Sequence, residues 1–536
     1  MHIKKYYGIV EGFFSDPLPL WTHQERLKTL HFIIENCPHI NTYFYTPKND
    51  RWVEQQPFAL YPAKKLNELR EIVALCKRQK LTFVYGFNPV FTPEQVEHDF
   101  EAYITSIMKK ISQLFSIGVR NFCILYDEIS FALNFDEAKI HSKNDAYIGQ
   151  THARILNTLL QHIRTDIDTL WFCPPDYSFS RTTPYLSALL KDLDTSIPII
   201  WTGDAIFTKT ISPELLRKGK SVVGKKRDII YWDNYPVNDC PHPIGTFHIG
   251  AFNAPSYRAH SELKGILMNP MRECFANFIA YLTLEAYLRS PCAFDRKKAF
   301  YNAFRILFGT NWKQYASLYE TFADKNVADD SPRGYYEQLL RTDSAGVVNI
   351  TTAIRHDLEA LVPPNTLAGR SFVQTTGSIL KRAKNIQEVF SRMISNKGWG
   401  ELFLTYDTFP VTLNKKYLTR QFVILVKRLT LADMFNDEKS AFITAVAKML
   451  IRDRFSIPRE KPRTALEHQL VALLHIFIKY KDKNRLSITD RDAKRLSDTL
   501  HVLVPLERHF FLQKIRHLPA EQKIRAFIFR SQINFY

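Results

Sequence analysis

Eight short runs of β-branched and aromatic residues, separated by longer stretches of helical periodicity, set the tightest limit on what this chain can fold into. The runs are Tyr6 to Val10, Asn41 to Tyr45, Thr82 to Tyr85, Phe122 to Tyr126, Leu170 to Phe172, Ile199 to Trp201, Ile229 to Trp232 and Gly265 to Leu267. Such alternation calls for parallel strands joined by helical crossovers. The sixth run is short because Pro198 precedes it, and proline is tolerated at the start of a strand but not inside one. Between the first two runs, Thr22 and Glu25 stand at capping-box spacing, and Leu27, Leu30, Ile33 and Ile34 follow as one apolar stripe. Comparable helices fit Ala63 to Gln79, Glu94 to Ser116 and Ala146 to Ile167. Eight strand–helix units over about 290 residues match a closed (β/α)8 barrel of the TIM type, with an open doubly wound sheet as the alternative.

After about Ser290 the strand signal fades. Amphipathic stretches dominate instead: Arg370 to Asn396, Lys416 to Phe435, Glu438 to Arg454 and Ala465 to Lys481. The expected organisation is therefore α/β followed by all-α: a catalytic barrel over 1–295, a helical connecting region over 296–365 and a helical C-terminal domain over 366–536. Breaks containing proline or glycine fall at Asp330 to Gly334 and at Pro363-Pro364-Asn365. With 45% hydrophobic residues in 536, there is ample material for a large core. The seven cysteines are scattered, without a CxxC pair, which argues against a disulfide framework or a zinc knuckle. The chain runs from Met1 into its first strand without the apolar segment of a signal peptide, and no stretch nears about 18 uninterrupted apolar residues. A cytoplasmic protein that does not engage membranes is expected. The formal net charge of +18 is concentrated in clusters such as Lys218 to Arg227. No nucleic-acid motif accompanies them, so a solvated basic surface is the expectation and nucleic acid is not an expected partner.

In a (β/α)8 barrel the active site lies at the carboxyl ends of the strands, so the polar residues that follow each run are the candidates. They are Glu11-Gly12, Lys48-Asn49-Asp50, Asn88, Asp127-Glu128, Asp176-Tyr177, Asp233-Asn234 with Asn238-Asp239, and Asn269. Asp127 and Glu128 follow a run too apolar to face water, which delivers two adjacent carboxyls to the barrel mouth. Repulsion and desolvation should raise at least one pKa well above about 4, readying one carboxyl to donate a proton while the other stays charged. Trp232, Tyr177, Asn234, Asp239 and Lys48 add an aromatic surface and hydrogen-bonding groups suited to a sugar. Taken singly, each has a plainer reading: Trp232 a core residue, Tyr177 a packed one, Lys48 a solvated charge, Gly12 a turn needing positive φ.

In order along the chain, the segments Gly8 to Phe14, Asn41 to Asp50, Leu125 to Ile129, Phe172 to Tyr177, Trp201-Thr202-Gly203, Tyr231 to Asn234, Asn238-Asp239 and Leu267 to Pro270 resemble the O-GlcNAcase family of β-N-acetylglucosaminidases, glycoside hydrolase family eighty-four. The resemblance covers about Tyr7 to Ser290. It implies a retaining exo-β-N-acetylglucosaminidase in which the substrate's own 2-acetamido oxygen is the nucleophile, an exception to the two-carboxylate scheme. Asp127 would orient the acetamido group and Glu128 would serve as acid and then base. The backbone at Gly12, Lys48, Asp239 and Asn269 would bind sugar hydroxyls, Tyr177 and Asn234 would flank the acetamido group, and Trp232 would line the pocket. No metal or cofactor is implied. The implied partner is a GlcNAc-bearing glycoconjugate or O-GlcNAc protein, and a homodimer through the helical C-terminal region is one assembly the sequence allows. The chain departs from the family at Glu128, where an aspartate is usual, in the loop from Phe14 to Trp21, and in having almost nothing before its first strand. A catalytically weak GlcNAc-binding protein whose helical half mediates protein interaction is the alternative.

Overall fold

The computed structural model describes residues 4–15, 18–89, 96, 98–127, 145–239, 245–324 and 344–395. At its centre eight parallel strands close into a barrel in chain order. They are β1 (Tyr6–Glu11), β2 (Thr42–Tyr45), β3 (Thr82–Phe87), β4 (Asn121–Leu125), β5 (Thr169–Cys173), β6 (Ile199–Trp201), β7 (Ile229–Asp233) and β8 (Gly265–Met268). Each of the eight sequence runs coincides with one strand. Closure is made by β1 against β8, in register from Tyr6 opposite Gly265 to Ile9 opposite Met268, which excludes the open doubly wound sheet. Pro198 leaves β6 short yet still serves the sheet, because its carbonyl accepts from the Phe172 amide at 3.0 Å.

The helices that cover the barrel are α1 (His23–Asn36), α2 (Ala63–Arg78), α3 (Phe100–Phe115), α4 (Asp145–Ile163), α5 (Pro184–Asp192), α6 (Pro213–Val223), α7 (Tyr257–Glu262) and α8 (Phe278–Arg289). The capping box forms as its spacing predicts: the Glu25 amide donates to Thr22 Oγ1 at 3.2 Å, and the Glu25 carboxylate accepts from the Thr22 amide at 2.7 Å. Helix α4 stops at Ile163, four residues short of the sequence expectation, and the chain turns so that the Asp168 amide reaches the Arg120 carbonyl at 2.8 Å to start β5.

Among the described residues four more α-helices follow, α9 (Arg296–Phe308), α10 (Trp312–Phe322), α11 (Ser344–Glu359) and α12 (Leu367–Ser395). The chain divides into two units, residues 1–341 with 352–384, and residues 342–351 with 385–536. The barrel and the described site residues all belong to the first. The helices expected from Lys416, Glu438 and Ala465 onward, and the break at Asp330 to Gly334, lie outside the described residues. Among the described residues no helix is long and apolar enough to cross a membrane.

The bore of the barrel is filled by one cluster: Tyr6, Val10, Phe44, Val84, Cys123, Leu125, Trp171, Cys173, Ile200, Ile230, Trp232 and Leu267. Trp171 is its keystone, with Tyr6 edge-on at 4.9 Å and Phe44 at 5.6 Å between ring centroids. Each large apolar side chain withdrawn from water here stabilises the fold by about 1.5–3 kcal/mol, so the strand ends rise from a solid floor rather than from a channel.

Candidate active site

Side chains on a strand alternate between its two faces, so residues two or four positions beyond a bore residue face the same way. Counting from Val10, Phe44, Val84, Leu125, Cys173, Trp232 and Leu267 arrives at Gly12, Lys48, Asn88, Asp127, Tyr177, Asn234 and Asn269. Gly12, Asn88, Asp127, Asn234 and Asn269, within two residues of a strand end, thus continue the inward layer above the apolar bore, and Lys48 and Tyr177 join it from the loops after β2 and β5.

Lys48 and Asp127 meet in this layer: Lys48 Nζ donates to Asp127 Oδ2 at 2.7 Å, with side chains only 4% and 8% exposed. In a site so withdrawn from water, neither charge would be stable without the other. The other carboxylate oxygen, Asp127 Oδ1, is buried and accepts no hydrogen bond among the described residues. Lys48 is aimed by Asn49, which takes a left-handed conformation with φ of 65° that asparagine tolerates better than most residues. The Asn49 amide donates to Glu54 Oε2 at 2.7 Å, and its Oδ1 accepts from the Ser15 amide at 2.9 Å, tying the β2 loop to the β1 loop. Asp50 is turned to a structural task, accepting from the Trp52 amide at 2.8 Å.

Asp127 has an equally firm mount. The preceding Tyr126 donates its amide to the Cys173 carbonyl at 2.9 Å, shares a hydrogen bond with Tyr103 Oη at 2.9 Å, and stacks on His152 at 4.0 Å. His152 is bonded to Tyr185 Oη at 2.8 Å, and burial pushes its pKa down to about 3, so its ring is a neutral packing surface at ordinary pH. Sequence reading missed this support, because Tyr103, His152 and Tyr185 come from helices and leave no signal near the acidic residues.

On the opposite wall Asn234 Oδ1 accepts from Trp232 Nε1 at 2.8 Å and from Asn269 Nδ2 at 2.9 Å, while Asn234 Nδ2 donates to the Ile206 carbonyl at 2.9 Å. One asparagine therefore fixes the indole, the neighbouring amide and the loop after β6. Asn269 Oδ1 is buried with no partner among the described residues. Trp232 belongs to the bore cluster, as its plainer reading had it, and its indole nitrogen points to Asn234 at the mouth. Tyr177 packs against the same cluster.

Gly12 is required for space rather than for a turn, since its φ is not positive. A Cβ there would stand 2.3 Å from Cζ2 of Trp232. Gly12→Ala is expected to displace the indole and weaken binding of any ligand seated on it by tenfold or more, with a smaller loss of stability; titration and thermal melting of the same sample check both. Asp239 reaches the site from the loop after β7, and its Oδ2 accepts from the Phe14 amide at 2.9 Å. Burial pushes its carboxyl up to about 6, against the opposing pull of that amide, Arg272 and Lys48.

Four other candidates serve the scaffold. Glu11 is fully buried and paired with Arg26 at 2.5 Å. Asp176 accepts from the Thr183 hydroxyl at 2.6 Å, where Thr183 caps α5. Asn238 accepts from the Arg272 amide at 2.8 Å and donates to Glu273 at 2.6 Å. Asp233 accepts from the Tyr235 amide at 3.1 Å, and burial pushes it up to about 7. Glu128 lies outside the described residues. Among the described residues no three His, Cys, Asp or Glu side chains are grouped to hold a metal ion.

The carboxyl end of the closed parallel barrel thus brings together a buried carboxylate, an indole and two converging amides. Residues 7–324 match the family model for β-N-acetylglucosaminidases, and the chain belongs to that family. It is similar to Protein O-GlcNAcase of Rattus norvegicus, 26% identical over 290 residues, and to that of Mus musculus, 25% identical over 289; each match takes in 53% of this chain and 30% of the relative. The chain thus spans under a third of the length of these curated relatives. Among solved structures, an O-GlcNAc hydrolase variant of Thermobaculum terrenum shares the fold with a TM-score of 0.63 at 20% identity, over 91% of this chain and 99% of that one.

Proposed function

We propose that this chain is a retaining exo-β-N-acetylglucosaminidase acting on O-GlcNAc-bearing proteins or related GlcNAc conjugates, with the substrate's 2-acetamido oxygen as nucleophile. The observation that carries the reading is the state of Asp127. One of its oxygens is neutralised by Lys48 at 2.7 Å, while the other is buried without a partner among the described residues. A lone acceptor in a dry site is suited to receive an N–H, and the acetamido group brings one. Holding that N–H turns the acetamido oxygen toward the anomeric carbon and favours the charge that the amide develops as it attacks.

In this reading Glu128 protonates the departing glycosidic oxygen and then takes a proton from the water that opens the cyclic intermediate. Asn269 and Asp239, the backbone at Gly12 and the ammonium of Lys48 bind sugar hydroxyls, Tyr177 and Asn234 flank the acetamido group, and Trp232 lines the pocket. Cytoplasmic action fits the buried thiols Cys37, Cys76, Cys123 and Cys274.

The test compares aryl β-N-acetylglucosaminide with the matching aryl β-glucoside, which has a hydroxyl in place of the acetamido group. The expected result is turnover of the first with retention of anomeric configuration, and loss of at least about a thousandfold on the second, because the nucleophile is gone. Comparable rates on the two, or an inverted product, would defeat the proposal.

A further inference from the structure

Asn88 is the one member of the inward layer to which no task has been assigned. It follows β3, and its direction is set by Gly86, where a Cβ would meet Phe44, Leu125 and Thr46 within 2.9 Å, so this face of β3 looks into the bore. Asn88 lies on the same face one step nearer the mouth. Its backbone is pinned on both sides: its own amide donates to the Val53 carbonyl at 2.9 Å, and the next carbonyl, of Pro89, accepts from Tyr103 Oη at 2.7 Å. The strand order β2-β3-β4 places it on the strand that the Lys48–Asp127 pair spans.

Asn88 is only 2% exposed, and neither Oδ1 nor Nδ2 has a hydrogen-bond partner among the described residues. Other buried amides in this barrel are put to structural use. Asn238 holds Arg272, Thr246 and Glu273, and Asn277 accepts from the Met271 amide while donating to three carbonyls. A buried amide with nothing to hold is a cost to the empty protein, and such costs persist where a ligand removes them. Its depth does not set it apart, since Lys48 and Asn269 are each 3% exposed.

We propose that Asn88 is a further substrate-binding residue, whose carboxamide hydrogen-bonds a polar substituent of the sugar ring beside the Lys48–Asp127 pair. The inference rests on the hydrolase reading and adds to it a contact on the third strand, whose amide can both donate to and accept from the sugar. Binding replaces an unsatisfied pair of atoms with a satisfied one, so the residue acts on affinity at the expense of the empty fold.

The test uses the full chain with Asn88→Leu, of similar shape and without polar atoms, and Asn88→Ser, which keeps one hydroxyl. Melting temperatures are measured without ligand, affinity for GlcNAc-thiazoline by calorimetry, and KM and kcat on an aryl β-N-acetylglucosaminide. The expected result is a ligand-free melting temperature for Asn88→Leu at or above that of the parent, with affinity about tenfold weaker and KM raised to match; Asn88→Ser falls between. Thiazoline affinity unchanged in Asn88→Leu overturns the inference and leaves the hydrolase reading intact. Weaker binding accompanied by a lower melting temperature in both variants also overturns it, because that is the mark of a structural amide. A parent protein that neither binds the thiazoline nor turns over the glycoside overturns both readings together.

Discussion

Asp127→Asn is expected to lower kcat on an aryl β-N-acetylglucosaminide by about 10²–10³-fold, with no recovery on better leaving groups. The amide keeps an oxygen that Lys48 can reach, but it loses the negative charge that favours the developing positive charge of the acetamido group. Glu128→Gln should differ in kind. On an activated aryl leaving group that needs little protonation the first step survives, while a poorly leaving alcohol should lose the ~10²–10⁴-fold typical of a missing general acid. Steady-state rates over a series of leaving groups separate the two roles. An Asp127→Asn variant within threefold of the parent on every substrate would end the acetamido reading. Thermal melting belongs beside these rates, since Lys48, 3% exposed, loses its counter-charge in that variant.

Arg26→Met is expected to destabilise the barrel by about 3–5 kcal/mol, because removing one partner of a buried ion pair strands the other. Arg26 Nε reaches Glu11 at 3.1 and 2.9 Å and Nη2 reaches it at 2.5 Å, while Tyr43 Oη donates to the same carboxylate at 2.5 Å. The pair links α1 to β1 and β2 directly behind Gly12 and the loop that carries Lys48. A shift of that size lowers the melting temperature by roughly 4–6 °C in a unit of this length. The double variant Glu11→Leu with Arg26→Met should recover part of the loss, since it leaves no charge stranded. A single variant that melts within a degree of the parent would show that water reaches Glu11.

The fold was readable because its determinants are local. Each strand announces itself in three to five residues, Thr22 and Glu25 mark a helix start, and the number of units selects a closed barrel. The site was readable in part for the same reason. Strand parity carries polar residues such as Asn234 and Asn269 to one layer, and that parity is written in the chain. What could not be read is which ends meet. Lys48 and Asp127 are 79 positions apart, and nothing near either names its partner. Glu11 and Gly12 are adjacent in sequence yet divide between scaffold and site, because successive side chains on a strand face opposite ways. The plainer reading of Gly12, a turn, does not hold, since the constraint is an indole from the seventh strand that excludes a Cβ. Asn49 carried a faint signal, as asparagine is enriched where φ is positive.

The Lys48–Asp127 pair has a consequence for how the molecule meets its surroundings. Outside, a formal excess of 18 positive charges acts through solvent, where mobile ions damp it over about 8 Å at physiological ionic strength. Inside, the two charges cancel at 2.7 Å with almost no water between them and the protein. If the proposed function holds, an uncharged sugar would meet a site whose grip is indifferent to added salt, while whatever the basic exterior draws in would answer to it strongly. The same molecule keeps two independent ledgers of attraction, one set by the medium and one sealed from it.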